Sequence, residues 1–410
     1  MKISLQLIVV IIGSFIVFSQ ASKDVKKLPP VIFVPGDGGS QLEAKLNKST
    51  TVHYVCDKTT KDYFTLWLDV NHLLPIAIDC WVDNIKLNFD EATNKTFNQP
   101  GVETRIPNFG DPSRVEYLDP SRLAITGDYF SHIGDTLVSL GYIRGENLHG
   151  APFDFRKGPS ELGIFFENLT NLIESTYIEN GNSSVVLIAH SMGGPLSLIL
   201  LNNKTQSWKD KYIRALVTLS GAYGGSVKAL KVFATGDDLG VYLLNETVLK
   251  QVQTTLPSSA FLMPNQFLWG DEVLVSTPDK NYTINNVESF FNDINYPIGW
   301  KMFLNEKDFT KKLVPPGVEV HCLYGVGVST IKQLIYKSNK FPDQPLFVYE
   351  DGDGTVNIRS LEVCKDWLTK QKQEVHTQGF DGSDHMAILK DVRVINYIRD
   401  RISIWSNLYS

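Results

Sequence analysis

Hydrophobic positions follow two rhythms along the chain, and the change between them predicts the fold. Compact apolar runs at residues 31–34, 185–189, 215–219, 318–324 and 346–349 read as strands. Segments 129–140 and 161–178 space their apolar residues three and four apart, the second through Leu162, Ile164, Phe165, Leu169, Leu172 and Ile173, and read as amphipathic helices. Residues 196–201 read as a helix close behind the strand at 185–189, and residues 386–402 as a final helix. Strands and helices alternating in this order predict an α/β fold, a mostly parallel sheet with helices on both faces. Two stretches break the rhythm. Residues 225–310 hold few strand signals and read as an insertion over the sheet edge, a cap or lid. Residues 56–81 crowd Leu66, Trp67, Leu68, Leu73, Leu74, Pro75, Ile76, Ile78 and Trp81 together without keeping either period. That stretch reads either as a buried lobe of core or as an apolar patch for a lipid surface, with tryptophans suited to the interface.

The strand at 185–189 runs into His190-Ser191-Met192-Gly193-Gly194, the pattern of a nucleophile elbow with Ala189 at its first small position. Small residues are needed on both sides of Ser191, because the strained turn lifts its hydroxyl where strand meets helix. A serine nucleophile needs a base, and the base an orienting acid, in chain order Ser, acid, His. Three histidines follow Ser191. His321 lies inside an apolar run and His376 in a strand-like run, whereas His385 sits in a polar loop just before the last helix. The acid belongs in a loop after a late strand. There Asp353, flanked by glycines, is preferred to Asp351. Ser220 lacks a glycine two residues on and is not the nucleophile. The run at 31–34 ends at Pro35-Gly36-Asp37-Gly38-Gly39, a loop whose glycines let N–H groups converge on a substrate oxygen. The N–H groups of Asp37 and Met192 are the expected oxyanion hole. No phosphate-binding G-x-x-x-x-G-K-[ST] occurs.

The 410 residues carry a net charge of −6, with 43% hydrophobic and 20% charged, which suits a large core and argues against nucleic acid as partner. Residues 1–21 read as a secretory signal: Lys2, an apolar run at 5–18, and Ser19-Gln20-Ala21 as cleavage site. The hydrolase domain then spans 22–410. N-x-S/T acceptors occur at Asn47, Asn94, Asn168, Asn182, Asn203, Asn245 and Asn281, in keeping with a glycoprotein. Of the three connectivities that Cys56, Cys80, Cys322 and Cys364 allow, the local pairs Cys56–Cys80 and Cys322–Cys364 are expected. No C-x-x-C spacing suggests a metal, and the chemistry needs no cofactor.

Together these motifs resemble the lecithin:cholesterol acyltransferase family: Pro35-Gly36-Asp37, Gln41-Leu42-Glu43-Ala44-Lys45-Leu46, Leu66-Trp67-Leu68, Asp79-Cys80-Trp81, Arg144-Gly145-Glu146, Gly150-Ala151-Pro152-Phe153-Asp154-Phe155-Arg156, Ala189-His190-Ser191-Met192-Gly193-Gly194 and Gly352-Asp353-Gly354-Thr355-Val356. The likeness covers nearly all of the mature chain. It is greatest to the lysosomal phospholipase A branch (group XV, ceramide transacylase), because Asp37 stands where the plasma cholesterol-acylating branch carries a cysteine. Gly38 and Ser40 depart from the Leu and Asn of vertebrate members. The resemblance implies an α/β-hydrolase core, a membrane-binding insertion at 41–85 and a lidded cap. It also implies cleavage of a phospholipid acyl ester through an acyl-serine, with transfer to water or a lipid alcohol such as ceramide. Trp67, Leu68, Leu73, Leu74 and Trp81 would meet the phospholipid membrane surface, and the chain would act as a monomer in the lysosome or secreted fluid. The rival expectations are a secreted sterol O-acyltransferase of the lecithin:cholesterol type, a soluble lipase or carboxylesterase, and a lipid-binding protein on an inactive hydrolase scaffold.

Overall fold

The computed structural model describes residues 28–121, 127–238, 246–341 and 343–407. The expected signal peptide and Asn245 lie outside the described residues. Six strands form the central sheet: β1 (Val31–Val34), β2 (Leu148–Gly150), β3 (Val185–His190), β4 (Ile213–Leu219), β5 (Val320–Val326) and β6 (Val375–Asp381). Their spatial order is β6-β5-β4-β3-β1-β2, and every neighbouring pair is parallel. A parallel sheet covered on both faces must be apolar at successive positions, and β1 and β3 are buried throughout. Alternate residues feed two cores. Ile32, Val34, Leu187 and Ala189 join Phe165, Leu169 and Ile173 of the helix Gly163–Glu179. Val31, Phe33, Val186 and Ile188 join Ile133 and Leu137 of the helix Ser131–Ser139 and Ile398 and Ile402 of the helix Val392–Asn407. That last helix starts later than the expected 386, because Asp391 accepts from the Arg393 N–H at 2.9 Å and sets its beginning.

One strand expected in the parallel sheet belongs elsewhere. Leu346–Glu350 pairs antiparallel with Thr330–Ile335, at the edge of a four-stranded sheet completed by Val275–Ser276 and Asn281–Tyr282. Leu346, Val348 and Tyr349 are exposed there. A short apolar run has the same appearance in sequence at an edge as at a centre, which is why periodicity misplaced it. This sheet packs on helices that include Val227–Thr235 and Pro297–Glu306. Their core joins Phe233, Phe290, Phe291, Met302 and Phe303 to Leu334 and Phe341. The cap expected at 225–310 therefore draws part of its substance from 330–350.

The insertion expected at 41–85 is a three-stranded antiparallel sheet, Phe64–Trp67, Leu42–Leu46 and Val102–Arg105, with the helix Ala77–Ile85 against it. Its third strand carries the unit past residue 85. The disulfide Cys56–Cys80, with Cα atoms 5.4 Å apart, ties the loop to the helix. Cys322–Cys364 joins β5 to the segment Val363–Thr369. Arg156, fully buried, donates to the carbonyl of Ile85 at 3.1 Å and the hydroxyl of Thr104 at 2.9 Å while pairing with Asp154. It is the strut between insertion and hydrolase body.

Candidate active site

Ser191 lies between the end of β3 and the helix Gly193–Asn202 with φ +53°, the left-handed conformation the elbow demands. The glycines around it are required by closeness. A Cβ on Gly193 would stand 2.3 Å from the carbonyl oxygen of Val34, and one on Gly36 would stand 2.6 Å from Ser191 Cβ. The first loop thus presses directly against the nucleophile, and Asp37 follows Gly36 in that loop as Met192 follows Ser191 in the elbow.

The structure brings Ser191, His385 and Asp353 together. His385 Nε2 lies 2.9 Å from Ser191 Oγ, and its Nδ1 lies 2.7 Å from Asp353 Oδ2. Asp353 is fully buried, and its Oδ1 accepts from the N–H groups of Val356 at 2.7 Å and Thr355 at 3.0 Å. Burial alone would raise its pKa; the His385 ring and those N–H groups outweigh it and hold the carboxyl below the ordinary range. An ionised carboxylate on Nδ1 fixes the tautomer that leaves Nε2 free to take the serine proton. The acid loop leads back from the cap strand Leu346–Glu350, and Asn357 moors it: its Oδ1 accepts from Val227 N at 3.1 Å and its Nδ2 donates to Ile331 O at 2.9 Å. Cap and triad are therefore built on shared backbone.

Asp37 reaches solvent, yet protein crowds its carboxyl from most directions. That desolvation pushes its pKa up to about 7, against the lowering from the Ser258 hydroxyl and the Gly38 N–H. Ser258, on the cap helix Pro257–Phe261, carries no sequence signal that would have marked it.

The discarded candidates have other duties. Asp351 accepts from Gly327 N and Gly352 N and shapes the turn. Ser220 is fully buried. His321 bonds Glu319 and Tyr397 and stacks on His376 with ring planes 12° apart. The ligand atoms of Glu319, His321 and His376 lie within 4.8 Å, but near-parallel rings hold their lone pairs in parallel planes, so the pair does not converge on one ion. The second acidic group, Asp237, Asp238 and Glu246, is met by lysines: Lys228 and Lys231 approach Asp237 and Lys231 pairs with Glu246.

Of the expected lipid contacts, Trp81 and Leu68 are core residues, a correction to the membrane reading. Trp81 is 4% exposed and donates Nε1–H to the Leu66 carbonyl, and Leu68 is 8% exposed. Trp81 packs into the core with Leu66, Val82 and Ile85, and Leu68 into the one with Val31, Phe33 and Leu118. Trp67 is half-buried between Trp81 and Phe155 and donates to the Gly38 carbonyl at 2.7 Å, so it braces the first loop. Leu73 is half-buried, and Leu74, Ile76, Tyr54 and Val55 are exposed. The insertion also holds a cavity of about 500 Å³ lined by Leu46, Phe64, Leu66, Ile76, Cys80 and Trp81 among others. Asn47, Asn94, Asn182, Asn203 and Asn281 are exposed, while Asn168 is half-buried on its helix.

The sequence model of the lecithin:cholesterol acyltransferase family matches residues 63–392. The lysosomal phospholipase A and acyltransferase of Homo sapiens is 43% identical over 373 residues, covering 90% of this chain and 90% of that one. The phosphatidylcholine-sterol acyltransferase of Gallus gallus is 43% identical over 363 residues, covering 88% and 87%. Among solved structures, a chain of the Tle4-Tli4 complex superposes with TM-score 0.57 at 14% identity, covering 93% of this chain and 97% of that one, a likeness of fold. Strand order, elbow and helix placement make this an α/β-hydrolase fold.

Proposed function

The chain belongs to the lecithin:cholesterol acyltransferase family, and from that premise we propose that it is a serine phospholipase A and acyltransferase of the secretory pathway. The observation that carries this is the Ser191–His385–Asp353 arrangement at the elbow, beneath a cap and beside an insertion with exposed apolar side chains. His385 Nε2 takes the proton of Ser191 as Oγ attacks the acyl carbonyl of a glycerophospholipid. The oxyanion lies toward the N–H groups of Met192 and Asp37. Collapse breaks the ester C–O bond, and the imidazolium returns its proton to the departing lysophospholipid oxygen. The acyl-serine is then attacked by water or a lipid alcohol such as ceramide, whose proton His385 accepts and passes back to Ser191.

Asp37 favours an acidic working compartment. A carboxyl with its pKa near 7 stays protonated in a mildly acidic compartment, where it adds no negative charge beside the oxyanion. Glycan acceptors, two disulfides and the lysosomal phospholipase A and phosphatidylcholine-sterol acyltransferase relatives support a lysosomal or secreted address. Among the described residues no helix is long and apolar enough to cross a membrane. Exposed Leu74 and Ile76 are the side chains offered to the phospholipid surface. The test is product analysis on phospholipid vesicles containing ceramide or sterol, at pH about 4.5 and about 7. Lysophospholipid with acylceramide, lost in Ser191→Ala, is expected; steryl ester as the main product would favour the sterol reading, and no release from vesicles with hydrolysis of a short soluble ester would favour a carboxylesterase.

A further inference from the structure

We infer that Tyr129 and His190 are positioning residues for the reaction, forming a buried hydrogen-bond chain that ties the first loop, through the elbow, to the main chain of His385. This inference rests on the roles assigned above to Ser191, Asp353 and His385. The chain has three links. The Gly36 N–H donates to Tyr129 Oη at 2.9 Å, Tyr129 Oη meets His190 Nδ1, and His190 Nε2 lies 2.8 Å from the His385 carbonyl oxygen. Tyr129 and His190 are 2% and 1% exposed, so no water competes for these bonds.

The partners dictate each proton. A carbonyl only accepts, so His190 carries its hydrogen on Nε2 and donates it to His385. Nδ1 is then a lone pair, and the Tyr129 hydroxyl must donate to it. The hydroxyl's own lone pair is left to accept from Gly36. The chain runs one way, from the first loop to His385, and a second proton on His190 would reverse its middle link. Burial, helped by the neighbouring His385, holds the His190 pKa down to about 3, so the ring stays neutral and the chain intact across the working range. The same argument removes His190 as a base, although it adjoins the nucleophile.

Geometry shows what the chain positions. His385 is gripped at both ends of its backbone: its N–H donates to the Asp353 carbonyl at 2.9 Å, and its carbonyl accepts from His190. Only the side-chain torsions then remain to aim Nε2 at Ser191. At the other end, a Cβ on Gly39 would stand 2.8 Å from Tyr129 Oη, so the loop lies directly on the phenol. One residue beyond the tethered Gly36 is Asp37, whose N–H is half of the proposed oxyanion hole. The chain therefore sets the distance between the oxyanion loop and the base, two groups that come from opposite ends of the sequence and share no covalent frame.

A loss of such positioning lowers turnover more than binding. Tyr129→Phe removes one oxygen and leaves the ring. It should fold with a nearly unchanged circular dichroism spectrum, lower kcat for a short soluble ester about 10- to 100-fold, and change KM less than about threefold. The low-field proton resonance of the Asp353–His385 bond should shift or broaden. His190→Gln keeps an N–H for the His385 carbonyl and should retain more activity than His190→Leu; if Tyr129→Phe does not fold, this pair decides. Ser191→Ala is measured alongside. Activity in Ser191→Ala would overturn the site assignment itself. An inactive Ser191→Ala together with folded Tyr129→Phe and His190→Leu of wild-type kcat, or with a loss confined to KM, would overturn only the positioning chain. Equal activity in His190→Gln and His190→Leu would do the same.

Discussion

The elbow and the stapled insertion are both rich in apolar residues, yet they use them in opposite ways. In β3 every residue is buried, and alternate side chains feed separate cores above and below the sheet. In the insertion the apolar residues divide: Leu66 and Trp81 join the core that also holds Ile32 and Leu187 of the central sheet, while Leu74 and Ile76 stay more than half exposed. The first region spends its apolarity on fixing one serine in a strained turn. The second leaves some outside, where water gains nothing from it and a bilayer would. Composition alone marks both as hydrophobic; what separates them is whether a second layer covers the face.

The widest gap between the regions should appear in chemistry. Ser191→Ala is expected to lower turnover of vesicle and short soluble substrates alike by a factor of about 10³ or more, with Asp353→Asn and His385→Ala doing similar damage to a folded protein. Near-normal hydrolysis by any of the three would dissolve the contrast.

Next in size is a stability effect inside the insertion. Trp81→Ala should cost roughly 3–5 kcal/mol, as expected for deleting a buried aromatic, read as a fall in denaturation midpoint. A midpoint within error of wild type would return Trp81 to the surface.

Smaller still is the surface effect. Leu74→Ser with Ile76→Ser should weaken vesicle binding about tenfold, since each apolar side chain brings roughly 1.5–3 kcal/mol when fully buried, and leave kcat/KM for a short ester unchanged. Equal loss on both substrates would mean that this part of the insertion supports the fold and not the membrane.

The finest test concerns pH. Burial pushes Glu306 up to about 7 where it meets Ser160 between cap and body, and Asp37 has a similar value in the cleft. A carboxyl whose folded pKa exceeds its unfolded value, about 4, holds extra protons in the folded state between those pH values. Its contribution to stability is complete below about 4 and falls away as pH rises through about 7. Glu306→Gln should therefore flatten the fall in denaturation midpoint over that window. Activity should likewise decline as Asp37 ionises, and Asp37→Asn should raise the ratio of activity at pH about 7 to that at about 5. An unchanged ratio would leave only the backbone of Asp37 in the mechanism.

Much of this is legible in the chain itself, where the relevant forces are local. The elbow is written in adjacent residues, because a strained turn between strand and helix excludes all but small neighbours. Strands β1, β3 and β4 and the helices beside them follow from apolar spacing. Asp353 and His385 could be chosen because chain order and loop chemistry narrow the field, even though His385 lies 194 residues from Ser191. Leu346–Glu350 could not be placed, since an edge strand and a buried one share the same short apolar run. Nor could Trp81 be separated from Leu74, Tyr129 joined to His190, or Ser258 set beside Asp37. Those facts depend on which surfaces meet across long loops, and burial, pKa and hydrogen-bond direction all follow from that meeting. Local backbone preference and hydrophobic period determined the scaffold and its nucleophile; only the packed tertiary structure decided which side chains lose water and therefore what they do.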